Sequence, residues 1–124
     1  MTSRLLICAV LVSSLVEMGC AETFCNLGQM SGLGCERMAG SAREAGDARR
    51  SAQLYLLACR QGSGAACREL AEAYLRGSGV RVNGPRAQRL FDTGCGQLDP
   101  ESCYSLANYL ELSGAPADEI RRAT

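Results

Sequence analysis

Cysteine is the residue type in this sequence that offers the most chemistry. The 124 residues include eight cysteines, at positions 8, 20, 25, 35, 59, 67, 95 and 103. Thiols can form disulfides, hold a metal or exchange electrons, and their spacing separates these roles. Structural zinc sites favour C-x2–4-C pairs and redox sites favour C-x-x-C, whereas the cysteines from position 25 onward pair at spacings of eight and ten. Structural disulfides are therefore the favoured interpretation, a metal site is a minor alternative, and no cofactor is expected.

Histidine, lysine and tryptophan are absent from the sequence. Without histidine, neither a Ser-His-Asp triad nor a Cys-His pair can be assembled. Basic and acidic residues balance at 13 each, so no field of one sign draws nucleic acid to the chain. The sequence also contains no phosphate-binding loop and no nucleic-acid motif. Several classes of active site are thus excluded, and no nucleic-acid partner is predicted.

The second half of the chain contains a repeat with a period of 36 residues. Residues 59–71 (CRQGSGAACRELA) recur as residues 95–107 (CGQLDPESCYSLA). The matching positions are Arg50 with Arg86, Leu54 with Leu90, Tyr55 with Phe91, Cys59 with Cys95, Gln61 with Gln97, Cys67 with Cys103, Leu70 with Leu106 and Ala71 with Ala107. They fall at steps of three and four residues, which is the spacing of a buried helix face. Cys25 and Cys35 begin a first, degraded copy.

Each copy reads as two helices around a short turn, with one cysteine on either side of the turn. Antiparallel helices pack about 8–10 Å apart, and inward-facing side chains can then reach the Cα separation of roughly 5.5–6 Å that a disulfide needs. Six cysteines allow many pairings. The phase of the repeat selects Cys25–Cys35, Cys59–Cys67 and Cys95–Cys103.

Helix signals cover the chain after residue 30, and no alternating strand pattern competes with them. Asp47 and Asp99-Pro100 mark helix starts, and a polar connection is predicted over residues 41–46. The predicted fold class is all-α, an αα-hairpin repeat solenoid with one disulfide per hairpin, in which stacked neighbours share a core. Its divisions are a degenerate unit over about residues 22–46, units over 47–82 and 83–115, and a partial capping helix over 116–124.

The N-terminus predicts export. A short basic start precedes an apolar run of 12 residues, Leu5 to Val16, and Gly19-Cys20-Ala21 has the small-x-small pattern of a cleavage site. Residues 1–21 are interpreted as a signal peptide that sends residues 22–124 to the periplasm or the medium. Twelve apolar residues are fewer than the ~20 that span a bilayer, so an uncleaved anchor is less favoured. The other alternative is a membrane-anchored lipoprotein, lipidated at Cys20.

One stretch carries a family resemblance: Leu54-Tyr55…Ala58-Cys59…Gly62…Ala66-Cys67…Leu70-Ala71…Tyr74…Gly77-Ser78-Gly79-Val80. This pattern resembles the Sel-one-like repeat, a 36-residue relative of the tetratricopeptide repeat. The paired cysteines resemble its secreted, cysteine-rich bacterial branch, the Hcp-type proteins often labelled β-lactamase-like. The resemblance spans about residues 34–112. It implies a tetratricopeptide-like superhelix whose first helices line a concave face. It also implies binding or scaffolding work, with weak penicillin binding or hydrolysis in some members.

The function expected from this resemblance is an exported scaffold that binds a protein or peptide. The alternative is a protein that binds β-lactams or hydrolyses them slowly. Serine β-lactamases need a Ser-x-x-Lys motif and metallo-enzymes need histidine, so no catalytic residue is predicted. A third interpretation is an assembly partner of a longer repeat protein, because the helix from Ala117 has no partner helix after it.

Three residues are candidates for ligand binding. Arg50 and Arg86 occupy equivalent repeat positions and could bind a carboxylate of a β-lactam or a cell-wall peptide, although a solvated helix face is the commoner place for Arg. Tyr104 follows Cys103 where Arg68 follows Cys67. Tyr104 is therefore predicted to be exposed and available to a partner.

Overall fold

The computed structural model describes residues 23–28 and 30–123, and this part of the chain is helical with no strand. Residues 23–26 form a first helical turn. The six helices that follow are α1 (Gly32–Glu44), α2 (Ala48–Arg60), α3 (Gly64–Arg76), α4 (Gly84–Gly96), α5 (Pro100–Leu112) and α6 (Ala117–Ala123). Helices α1 to α5 contain 13 residues each. At 1.5 Å per residue they are all about 20 Å long, so they can stack side by side as equal layers.

Each of these five helices begins at a polar residue whose side chain accepts a hydrogen bond from the backbone N–H three positions later. The caps are Ser31, Asp47, Ser63, Asn83 and Asp99. Such caps satisfy N–H groups that have no partner within the first turn. Helix α3 is capped at its C-terminal end by Gly77 in the left-handed conformation, φ 70°, which glycine adopts without steric cost.

Three helical hairpins follow one another, each closed by one disulfide. In the first hairpin Cys25–Cys35 joins residues 23–26 to α1, in the second Cys59–Cys67 joins α2 to α3, and in the third Cys95–Cys103 joins α4 to α5. The paired Cα atoms lie 4.6–5.7 Å apart. The all-α hairpin repeat predicted from the sequence is therefore present, with the disulfides in the predicted phase.

Neighbouring hairpins pack through α1 against α2 and through α3 against α4. The helices approach closely because small residues fill the interfaces: Ala39, Ala58, Ala66, Ala71 and Ala87 are all fully buried. The large buried side chains between them are Leu54, Tyr55, Leu70, Phe91, Leu106 and Leu110. The core is thus a continuous layer shared by the hairpins rather than a separate core in each.

Helix α1 is longer than the sequence predicts. The polar connection expected over residues 41–46 is a two-residue turn, because α1 continues to Glu44. Ala42 is buried together with Ala39 and Cys35, so the core-facing side of the helix extends through this segment. Packing of that face overrides the polar composition around it.

Helix α6 lies against α5, with Ala123 buried in the core of the third hairpin. Ile120 is partly buried in the same cluster. Among the helices described, none is both long enough and apolar enough to cross a membrane.

A glycine-to-alanine pair tests how tightly the hairpins pack. A Cβ at Gly64 would lie 2.7 Å from the Asp99 Cβ and 2.9 Å from the Gly94 carbonyl oxygen. Because backbone cannot yield cheaply, we expect Gly64→Ala to lower the free energy of unfolding by about 1–3 kcal/mol in urea titrations. Gly96→Ala is the control, since nothing lies within 4 Å of its Cβ position. Equal urea midpoints for the two variants would contradict the close packing of α3 on the third hairpin.

Candidate functional site

Gln61 ties the second hairpin to the disulfide of the first. It stands two residues after Cys59, and its Nε2 donates a hydrogen bond to the Cys25 carbonyl oxygen at 2.8 Å. The same nitrogen lies 3.8 Å from the Cys35 Sγ. One amide side chain therefore contacts both halves of the preceding disulfide.

Gln97 makes the same contact one hairpin later. Its Nε2 donates to the Cys59 carbonyl oxygen at 3.4 Å, and its Oε1 lies 3.3 Å from the Cys67 Sγ. We call these two interactions the glutamine contacts. Cys35 and Cys67, which lie beneath them, are 0% exposed. Cys95 and Cys103 are half-buried, and no hairpin covers them in the part of the chain that the structure describes.

In the first two hairpins the residue after the second cysteine also contacts the next hairpin. Glu36 accepts a hydrogen bond from the Ser63 hydroxyl at 2.7 Å, and Arg68 donates to the Asp99 carboxylate at 3.3 Å. In both cases the partner is the cap of the next hairpin's second helix. Tyr104 holds this position in the third hairpin, where 72% of the residue is exposed.

The turn of the third hairpin differs from the other two. The residue three positions after the first cysteine has a positive φ in every hairpin: 67° at Gly28, 95° at Gly62 and 64° at Leu98. Leucine in the left-handed region costs about 1–2 kcal/mol relative to ordinary helical backbone. Leu98 is 90% exposed, so packing within the described chain does not offset the free-energy cost of this conformation.

The third hairpin also differs from the other two at the first residue of its second helix. Gly32 and Gly64 hold this position in the first two hairpins, and a Cβ there would stand 3.4 Å from the Ala58 carbonyl oxygen or 2.9 Å from that of Gly94. Both carbonyls belong to the hairpin that follows. In the third hairpin the position is Pro100, which is exposed. We use the term C-terminal surface for Leu98, Pro100 and Tyr104 together with the half-buried Cys95–Cys103 disulfide.

Charged side chains link the first and second hairpins. Arg43 forms an ion pair with Glu69, and its guanidinium lies 5.9 Å from the centre of the Tyr55 ring. Burial raises the pKa of Tyr55, and the Glu69 carboxylate raises it further. Arg68 lies 3.3 Å from Glu69 as well. Because these charges satisfy one another, the cluster is explained by the packing of the hairpins. No pattern in the sequence indicates the Arg43–Glu69 pair, whose members are 26 positions apart.

The residues predicted to bind ligand lie on different parts of the fold. Arg86 is exposed on α4, with its guanidinium 4.9 Å from the centre of the Tyr74 ring. Arg50 is half-buried on α2, and its backbone N–H donates to the Asp47 cap. A shared carboxylate site stays a prediction. Tyr104 has the predicted exposure, whereas Cys20 and the predicted signal peptide fall outside the described residues. The described residues contain no group of side chains that could hold a metal ion.

A cavity of about 300 Å³ opens between α4, α5 and α6. Leu106 and Leu110 line it from α5. Its charged lining residues are Arg89, Asp92, Glu119 and Arg122. Two positive and two negative side chains leave the cavity without a strong preference for an anion.

No protein-family model, no curated protein and no solved structure matches this chain. The resemblance to Sel-one-like repeats therefore stays a prediction.

Removal of a glutamine contact should weaken the stack of hairpins. Gln97→Ala deletes the bond to the Cys59 carbonyl and opens the Cys67 sulfur to water, and we expect a loss of about 0.5–1.5 kcal/mol in the free energy of unfolding. Gln53→Ala, at an exposed position of α2, is the control. Matching urea midpoints for the two variants would show that the glutamine contact contributes nothing to stability.

The three disulfides should be reduced in a definite order. A reductant must reach a sulfur atom to attack it, and only Cys95–Cys103 is half-buried while the cysteines of the other two pairs are buried. We expect Cys95 and Cys103 to be alkylated first when the folded protein is treated with increasing concentrations of dithiothreitol. Peptide mass spectrometry identifies the alkylated cysteines. Earlier alkylation of Cys59 or Cys35 would contradict this order.

Proposed function

We propose that this chain is an exported helical-repeat scaffold that binds a protein or peptide partner in the bacterial cell envelope. The observation that carries the proposal is the C-terminal surface. In the first two hairpins the positions equivalent to Pro100 and Tyr104 pack against the next hairpin, whereas Gly28 and Gly62, the equivalents of Leu98, are exposed and carry no side chain. In the third hairpin all three positions are exposed, and two of them carry the large side chains of Leu98 and Tyr104.

The covalent structure supports a location outside the cytosol. The three disulfides of the described residues fit an oxidising compartment, since cytosolic reductants keep thiols reduced. The predicted signal peptide over residues 1–21 agrees with export in soluble form, and lipidation of Cys20 is the alternative. Membership of the secreted Sel-one-like branch, with its superhelical stacking, is part of the same proposal.

The alternative function is β-lactam binding or slow hydrolysis of the Hcp type. The cavity between α4, α5 and α6 offers Arg89 and Arg122 to a carboxylate. Asp92 and Glu119 line the same cavity and offset that charge. The chain also lacks His and Lys, so we rank binding of a protein partner first.

Affinity capture tests the proposed function. Immobilised, oxidised protein should enrich a specific partner from cell-envelope extract, identified by mass spectrometry. The same protein, reduced and alkylated, is the matched control, because loss of the disulfides removes the folded surface but keeps the sequence.

Two results would count against the scaffold. One is an envelope extract from which the oxidised and alkylated forms enrich the same proteins. The other is saturable turnover of a chromogenic β-lactam by purified protein at ordinary enzyme rates, about 1–1000 per second, which would support the hydrolase instead.

A further inference from the structure

The C-terminal surface includes positions that are equivalent, in the preceding hairpins, to contacts between hairpins. Leu98, Pro100 and Tyr104 occupy the positions at which the first two hairpins have a glycine, a second glycine and a charged residue. At the positions of Pro100 and Tyr104 the first two hairpins contact the turn and the caps of the hairpin that follows, whereas a Cβ at Gly28 or Gly62, the equivalents of Leu98, would have nothing within 4 Å. Two of the three positions thus have the location of an interface between hairpins, and all three have a more apolar composition in the third hairpin.

The exposed side of α5 extends this surface by about two further turns. Glu101, Tyr104, Asn108, Glu111 and Leu112 are all exposed. Their steps of three, four, three and one place them on one side of a helix. Leu112 is 82% exposed. Together with Leu98, the side carries three large apolar residues with a carboxylate between each pair of neighbours.

The charge of α5 sets it apart from the other helices. It contains Glu101 and Glu111 and no basic residue, whereas each of the other five helices contains at least one Arg. Opposite charges across an interface select a partner and speed its approach. A partner of this side would therefore carry Arg or Lys beside its apolar residues.

We propose that the C-terminal surface and the exposed side of α5 bind a basic amphipathic helix of another protein. This inference rests on the proposed scaffold function and names the surface and the partner class. Leu98, Tyr104 and Leu112 contact the apolar side of the partner helix, and Glu101 and Glu111 pair with its basic residues. Helical partners of this kind lay an apolar face against a matching groove or helix face.

Two other occupants fit the surface less well. A further hairpin of the same kind would bring its backbone as close as the Ala58 and Gly94 carbonyls come to Gly32 and Gly64, and the ring of Pro100 stands in that place. A second copy packed symmetrically, α5 against antiparallel α5, would set Glu101 opposite Glu111. Like charges in that arrangement repel.

Selection from a displayed library of helical peptides tests the proposal. The library varies apolar and charged positions independently, and the oxidised protein is the target. We expect enriched peptides to have an apolar stripe flanked by Arg or Lys. Their binding should weaken as NaCl is raised, because salt screens exposed charges. A bound peptide should also slow the reduction of Cys95–Cys103 by dithiothreitol.

Variants of the protein decide where the peptides bind. The triple variant L98G, P100G and Y104R installs the residues of the second hairpin, relieves the strain at Leu98, and should weaken binding at least tenfold. Glu101→Arg should weaken it about tenfold. Glu44→Arg, a matched charge reversal at an exposed position of α1, should leave it unchanged. Circular dichroism and the three intact disulfides establish that each variant is folded.

Several results would overturn the proposal: no enriched binder, enrichment without a positive charge bias, equal binding to the triple variant, or self-association of the protein through α5 in sedimentation experiments. The envelope partner separates this inference from the proposed function. If wild type and triple variant capture that partner equally, the scaffold function stands and this surface is the wrong one.

Discussion

The disulfide across each hairpin turn is the constraint on which the rest of the structure depends. Of the 20 buried apolar residues described, ten are Ala and four are Cys. Alanine buries little area, and hydrophobic stabilisation scales with the apolar area removed from water. A core of this composition in a small domain needs covalent support. Each disulfide closes a short loop, which in the chain-entropy model contributes on the order of 2–3 kcal/mol, a large share of a typical folding free energy of about 5–15 kcal/mol.

The disulfides also organise the contacts between hairpins. Gln61 and Gln97 bind the first cysteine's carbonyl in the preceding hairpin and lie against the second cysteine's sulfur. The position of one hairpin is thus set by the covalent geometry of the hairpin before it. Glycine at the start of α3 avoids a Cβ that would lie only 2.9 Å from the Gly94 carbonyl oxygen of the next hairpin. Covalent order within a hairpin and packing order between hairpins therefore depend on the same few residues.

The sequence predicts the features that recur in each repeat, but it does not reveal the contacts between neighbouring repeats. The 36-residue repeat marked Gln61 and Gln97 as equivalent, but their partners belong to the preceding hairpin and no spacing within one copy points to them. The Arg43–Glu69 pair joins helices that are not adjacent in the chain and has no counterpart in the repeat, so no pattern could reveal it. The polar residues at 41–46 suggest a loop when the sequence is considered alone. The burial of Ala42, which keeps this segment helical, depends on the neighbouring helix and cannot be recognised from local composition. Equivalent positions also proved unequal, since Arg50 is half-buried whereas Arg86 is exposed.

In a repeat protein each position can be compared with its equivalents in the other repeats. The third hairpin differs from the first two at the turn position of Leu98. Gly28, Gly62 and Leu98 all have a positive φ, a region that glycine adopts without steric cost, so the turn favours glycine in all three hairpins. Leu98 in the third hairpin therefore destabilises the turn, and no packing inside the described chain offsets that effect. Sequences that fold well rarely break a local rule without a compensating gain, and the exceptions concentrate at functional sites. Folding alone would favour glycine at position 98. The leucine, near an exposed tyrosine and the half-buried Cys95–Cys103 disulfide, is therefore better explained by a contact with another molecule.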